Sequence, residues 1–405
     1  MPRQAILRFV QFEASGGIAL AIAAVIAIIM ANSALAPAWH GWLEGRHVLQ
    51  VGGFHHEASL ADWVKDGLMA VFFFHVGLEI KREVIHGELS DPRRLALPVL
   101  GALGGMMVPA AVYLAVWQMT GADPVLMPGW AIPVATDIAF AVAAISLVAR
   151  RVPLGLKIFL LTLAVVDDLG AVALVALLYT HEVDGMALAG ALAVIIGLLG
   201  ASQLGLRRPW MFVAGAVLAW ALMLKSGFHP TLAGVLAAFA VPARAPAGGG
   251  QSALDDLHDD LDHWVKFAIL PLFALTHAGL SFQGLGPGNL LDPLPLGIIL
   301  GLAVGKPVGV VLAAWLAVRV GVARLPARAS WRQIWGVGAL CGIGFTMSLF
   351  LGGLAFDGLG QQLAAEVRLG VFTGSLLAAA IGLLALSTQP PAQHPKPADQ
   401  GSANP

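Results

Sequence analysis

The sequence predicts an all-α, polytopic membrane protein of about twelve spans. Three observations carry this: 58% of the 405 residues are hydrophobic, 12% are charged, and apolar stretches of bilayer-crossing length recur from end to end. A soluble domain carries about 25% charged residues, and a crossing helix needs about 20 mostly apolar ones. Mean hydropathy is +0.81. The short alternating segments of a transmembrane barrel are not seen. A net charge of −1 offers no basic surface for nucleic acid. The single Cys341 excludes a disulfide framework and any cysteine-based metal site. The 48 glycines suit helices packed closely in lipid.

In chain order the spans fall at roughly 12–32, 59–80, 95–117, 130–149, 154–178, 187–204, 209–223, 228–241, 264–283, 294–315, 334–355 and 364–386, the sixth to eighth being marginal in length. Arg3, Arg8 and the Ala34-Leu35-Ala36 run imitate a cleaved secretory signal. The apolar run is long and many spans follow, so it reads as an uncleaved first span. After it, His47 to Phe54 gives short β-prone segments around Gly52-Gly53, a hairpin pattern. An isolated hairpin is marginal, so this one is expected to pack on something, such as another subunit. Residues 387–405 are polar and Pro-rich and read as a disordered tail.

Lys and Arg fix the orientation. Of 23 basic residues, 17 lie at the termini and in even-numbered connections, and 3 (Arg46, Lys225 and Arg368) in odd-numbered ones. Lys65, Lys266 and Lys306 fall in spans or at their edges. Both termini are therefore expected in the cytoplasm, in agreement with an even span count.

Charges inside spans are the informative ones. Asp137 stands in the fourth span, Asp167 and Asp168 in the fifth, and Lys306 in the tenth. On the insertion scale these four together cost about 10–14 kcal/mol at mid-membrane, so they must face one another, water or an ion. A buried ion-pair cluster that fixes helix register is one reading, but one lysine cannot neutralise three carboxylates. Protonation or a bound cation must meet the remainder, and the two together describe a proton–cation exchange site. Neighbouring helical residues point about 100° apart, so one aspartate can meet Lys306 while the other meets a cation. Carboxylates, the Thr136 hydroxyl and backbone carbonyls are hard donors suited to Na⁺ or Li⁺. No His/Cys spacing supports zinc.

Backbone punctuation falls beside these charges. Pro307 cannot donate to the Ala303 carbonyl, which leaves an acceptor next to Lys306. Gly336, Gly338, Gly342 and Gly344 predict an unwound stretch in the eleventh span, with tight packing as the alternative. Pro133 reads as a first-turn proline, which barely argues for a break.

Several segments then resemble the NhaA-type sodium/proton antiporter family: MAVFFFHVGLEIKRE from Met69, GWAIPVATDIAF from Gly129, AVVDDLG from Ala164, KSGFHPTLAG from Lys225, GKPVG from Gly305 and LCGIGFTMSLF from Leu340. They occur in order over about residues 10–386. The resemblance implies one transmembrane domain over 1–386 with inverted-topology repeats at about 95–178 and 294–386. It also implies interrupted fourth and eleventh helices that cross at the midplane. Asp168 and Asp167 would form the Na⁺(Li⁺)/H⁺ site, with Lys306 pairing with Asp167. Asp137 and Lys306 would offset the facing ends of the broken helices, Thr136 would lie beside the site, and Asp66 matches a family acid. The implied activity is electrogenic Na⁺/H⁺ antiport serving pH and sodium homeostasis in a bacterial inner membrane. No cofactor is implied, and the hairpin at about 46–58 matches a dimer contact.

A pH-responsive entrance is also implied, using Glu79, Arg82, Glu83, His229, His258 and Asp259. Asp255, Asp256, Asp259, Asp260 and Asp262 with His258 and His263 would form an acidic funnel that concentrates cations. A solvated acidic linker is the alternative. The family commonly has an acid followed by His where this chain has His258 and Asp259; His75 and His277 stand where relatives carry Leu and Asn, and no role is assigned to them. A sodium-coupled symporter of an organic solute could use the same fold, although no Arg or aromatic constellation is aimed at an organic anion. An intramembrane aspartyl protease lacks its Gly-x-Gly-Asp signature, and a purely structural subunit leaves the charges unexplained.

Overall fold

The computed structural model describes residues 3–51, 54–87, 92–180, 183–245, 250–327 and 329–390. The Gly52-Gly53 turn and the tail from residue 391 onward lie outside them. The chain is an all-α, multi-pass membrane protein, and a helix stands at each of the twelve predicted places. Among the described residues, six helices are long and apolar enough to cross a bilayer unbroken: Leu95–Thr120, Leu154–Leu178, Gly185–Gln203, Pro209–Ser226, Pro293–Arg319 and Gln361–Ser387. The first span, Arg3–Ala31, turns sharply into the short helix Ala36–Leu43. Strands Arg46–Val51 and Phe54–Ser59 follow and pair antiparallel, with Arg46 opposite Ser59. The second span then runs from Leu60 to His86.

The eighth and ninth spans depart from expectation for local reasons. The eighth helix, Thr231–Ala240, has only 10 residues, about 15 Å at 1.5 Å per residue against a hydrocarbon core of about 30 Å. Its start is delayed by Gly227 at φ 82° and by Pro230. The ninth begins earlier than predicted, at Ala253, where the Ser252 hydroxyl caps the helix by accepting from Asp255 N–H, and it continues to His277. The acidic run is thus helix, not linker.

Helix irregularities sit beside the intramembrane charges. π-helical turns occupy Val64–Leu68, Val265–Ile269 and Gly301–Gly305. The first contains Lys65 and Asp66 and the last leads into Lys306-Pro307. A π turn absorbs one extra residue without ending a helix, which accommodates the missing Pro307 N–H. The fourth span is Pro124–Val134 followed by Ile138–Leu147, bent by 48°; the eleventh is Trp331–Leu340 followed by Phe345–Ala355, bent by 49°. The first half of the fourth is a tight 3₁₀ coil that starts at Pro124, so Pro133 stands in its last turn and not, as the sequence suggested, in a first turn. Pro124, Pro128 and Pro133 each withhold a donor there.

Of the four eleventh-span glycines, Gly336 and Gly338 lie inside the intact helix Trp331–Leu340. A Cβ on Gly336 would sit 2.7 Å from the Leu386 side chain, so it serves packing. Gly342 is in the break, where a Cβ would fall 2.2 Å from the Leu302 carbonyl. Both readings of the glycine run therefore apply, to different members. The third and tenth spans approach closely: a Cβ on Gly309 would lie 2.1 Å from the Gly104 carbonyl. Spans three to five and ten to twelve pack together around the two breaks. The second and eighth pack similarly, with Gly234 against the Ala70 carbonyl.

Candidate functional site

The two breaks meet, and the polar groups they free are paired across the crossing. Asp137 N–H donates to the Ile343 carbonyl at 2.7 Å, and Ser348 Oγ donates to the Ile132 carbonyl at 2.7 Å. Asp137 caps the helix Ile138–Leu147 by accepting from Phe140 N–H at 3.0 Å. Its other oxygen accepts from Thr346 N–H at 3.0 Å and from the Thr346 hydroxyl. One buried carboxylate thus meets the N-terminal ends of both second halves, where unpaired N–H groups and the helix dipole favour negative charge. Lys306, fully buried, donates to the Val134 carbonyl at the end of the first half of the fourth span. Its ammonium also lies 2.7 Å from Asp167 Oδ2.

Asp167 and Asp168 share a helical turn but not an environment. Asp167 Oδ2 also takes a 2.6 Å hydrogen bond from Thr136 Oγ, which lies 2.8 Å from the Cys341 carbonyl as well. Thr136 has one proton for these two acceptors and keeps oxygen lone pairs. Asp168 is 1% exposed, and its Oδ1 has no hydrogen-bonding partner among the described residues. It lines a cavity of about 50 Å³ together with Thr136, Asp137, Glu79, His258 and Asp262. One water needs roughly 10–15 Å³ of such space, so an ion with some of its water fits. The cavity leads from Asp168 toward the ends of the second and ninth spans that lie on the side of the chain termini.

That mouth holds a dense ionic cluster. Arg82 Nη1 lies 2.9 Å from His258 Nδ1 and 3.5 Å from Asp259, and its Nε lies 3.5 Å from Asp255. An arginine can only donate, so His258 accepts at Nδ1 and carries its proton on Nε2. Asp262 lies 2.5 Å from the Lys266 ammonium.

Glu79 lines the cavity, whereas Glu83 stands half-buried further along the same helix. His229 is not part of this cluster. It is buried near the opposite end of the second span, with Nδ1 2.7 Å from Thr231 Oγ and Nε2 3.5 Å from Asp66. Sequence reasoning left His75 without a role, yet it stacks on His258 at 4.7 Å and lies 3.5 Å from Asp262. Its place one turn before Glu79 on a cavity-facing helix was the available signal. His277 stacks flat on Phe273, with centroids 4.4 Å apart.

The sequence model of the family described as Na+/H+ antiporter 1 matches residues 7–386. Among similar proteins, the Na(+)/H(+) antiporter NhaA of Rhodospirillum rubrum is 48% identical over 392 residues, 95% of this chain and 98% of that protein. The namesake of Escherichia coli is 48% identical over 377 residues, 93% of this chain and 96% of its own length. That of Shewanella pealeana is 45% identical over 384 residues, 95% and 97% of the two chains. At this identity and coverage, the chain belongs to the Na+/H+ antiporter 1 family.

Proposed function

We propose that this protein exchanges Na⁺ for protons across a bacterial inner membrane, with Asp168 as the group for which the two ions compete. The observation that carries the reading is the contrast between adjacent carboxylates. Asp167 is held by Lys306 and Thr136, whereas Asp168 is buried, unpaired at Oδ1 and open to the cavity. Its charge has to be met by a proton or a cation, and one expels the other. Na⁺ at Asp168 has a further hard oxygen at hand in the Thr136 hydroxyl, which lines the same cavity. Electrogenic exchange needs a second proton besides that on Asp168, and loss of one from the Asp167–Lys306 pair as Na⁺ binds would supply it; Li⁺ fits the same donors.

Asp137 and Lys306 hold the crossed breaks together electrostatically, so the site travels with them when the bundles rock. The matching bends of the fourth and eleventh spans support inverted repeats over about 95–178 and 294–386. The Lys/Arg asymmetry supports cytoplasmic termini and a cytoplasmic cavity mouth. The hairpin leaves a two-stranded edge at which a second copy can pair, which supports a homodimer. The cluster of Glu79, Arg82, Glu83, His258 and Asp259 at the mouth supports a pH response there, and His229 would act separately beside Asp66.

The test is ΔpH dissipation by Na⁺, Li⁺ and K⁺ in proteoliposomes without an added organic solute. Na⁺-driven dissipation that Asp168→Asn abolishes is expected. Full exchange in that variant removes Asp168 from the reaction, and a requirement for solute favours symport.

A further inference from the structure

Three polar contacts on the hairpin side of the molecule join the two bundles. All three use one short stretch: the connection after the eleventh span and the first turns of the twelfth. Asp357 Oδ2 lies 3.5 Å from the ammonium of Lys65, which also lies 3.1 Å from Asp62. Gln361 Nε2 donates to Glu44 Oε1 at 2.8 Å. Arg368 Nε donates to the His277 carbonyl at 2.9 Å. The receiving groups stand on the short helix after the first span and on the second and ninth spans, outside the unit that carries the crossed breaks. Lys65 is anchored on its own side, because Asp62 also forms a capping box with Ser59.

On the termini side the pattern differs. Arg151 bonds to the carbonyls of Ser387 and Gln389 within the unit of the crossed breaks. Lys81 bonds to the carbonyls of Phe239 and Val241, and Arg82 to the ninth-span acids, within the other bundle. Between these two sets lies the cavity that reaches Asp168. The strap is also joined directly to the site. The helix Phe345–Ala355 starts at the Thr346–Asp137 contact and ends two residues before Asp357. Gly358 at φ 70° and Gly360 at φ 102° then give the connection backbone freedom that other residues lack.

We infer that residues 357–368 form the hairpin-side gate: the Lys65–Asp357, Gln361–Glu44 and Arg368–His277 contacts hold that face shut while the site opens to the termini side, and they release together when the access reverses. This rests on the antiport reading only for what passes through the gate. Lys65, Asp357 and Gln361 are positioning residues that touch no transported ion.

The experiment cross-links Glu44→Cys to Gln361→Cys with a reducible bifunctional thiosulfonate in proteoliposomes. Background is low, because Cys341 is the sole cysteine and is buried. Cross-linking is expected to stop Na⁺/H⁺ exchange, reductant to restore it, and Na⁺ binding from the termini side to persist. Exchange at the uncross-linked rate overturns the gate. If the parent protein itself shows no Na⁺/H⁺ exchange, the antiport reading has failed instead, and the gate is judged without transport. For that, Thr276→Cys, next to His277 and buried, is labelled with an impermeant maleimide from the hairpin side. Asp357→Asn, at the exposed partner of the Lys65 pair, should speed this labelling about 1.4- to fivefold, the range expected for losing one partly exposed ion pair. An unchanged labelling rate overturns the gate.

Discussion

Replacing Lys306 with Met tests whether the crossing depends on a buried charge pair. The Lys306 ammonium is sealed from solvent, 2.7 Å from Asp167 Oδ2, and also donates to the Val134 carbonyl. Removing it leaves a buried carboxylate with only the Thr136 hydroxyl and strips a helix-end carbonyl of its donor. Breaking one partner of a buried pair costs about 3–5 kcal/mol, whereas replacing both by neutral groups of similar volume is often close to neutral. Lys306→Met should therefore unfold in detergent roughly 6–10 °C below the parent, taking about 2 °C per kcal/mol for a large chain. Lys306→Met combined with Asp167→Asn should recover most of that loss, a coupling of at least about 2 kcal/mol. Both variants should lack normal Na⁺-driven exchange. Thermal unfolding of the four proteins of the cycle measures this directly. A Lys306→Met protein within 1–2 °C of the parent, or a double variant no better than the single, would refute the reasoning.

Two other outcomes follow from packing and charge. Gly309→Ala places a methyl 2.1 Å from the Gly104 carbonyl; backbone cannot yield as a side chain can, so a loss of about 1–3 kcal/mol is expected, and unchanged unfolding would refute the contact. At the cavity mouth, His258 Nδ1 accepts from Arg82 and must be unprotonated for that bond to form. Acid therefore opposes the closed cluster, and the stability that this bond contributes is lost as pH falls through the imidazole range. A proton on Nδ1 would turn the Arg82 bond into repulsion while Asp259 attracts it. The facing groups are His75, Glu79 and Arg82 on the second span and Asp255, Asp259 and Asp262 on its own helix. Asp262 is engaged by the Lys266 ammonium at 2.5 Å. Exchange should therefore fall with acid between pH 6.5 and 5 in the parent and less steeply in His258→Gln; superimposable profiles would remove His258 from the response.

The fold class and the central charges were legible in the sequence because the bilayer is a strict solvent. Asp137, Asp167, Asp168 and Lys306 stand in apolar runs where an unmet charge is costly, so their convergence could be argued before any coordinates. The break in the fourth span was less legible, since its extent depends on whether the helix starts at Pro124 or several residues later, and apolar content does not decide that. Pro133 changes meaning with that choice. The glycines of the eleventh span were ambiguous for a related reason: Gly336 and Gly342 look alike in sequence and differ only in what stands opposite, Leu386 in one case and the Leu302 carbonyl in the other. His75 and the Lys65–Asp357 contact were invisible because their partners lie far away in the chain. His229 was grouped with His258 by resemblance alone, and the fold puts it at the other end of the second span beside Asp66.

Competition of Na⁺ and protons for Asp168 is tested most directly by counting protons released when Na⁺ is added to the purified protein in weakly buffered detergent solution. Release from the parent, suppressed as pH rises and the site empties of protons, with none from Asp168→Asn, is the predicted result. Na⁺ binding without proton release, or equal release from the Asp168→Asn protein, would contradict it.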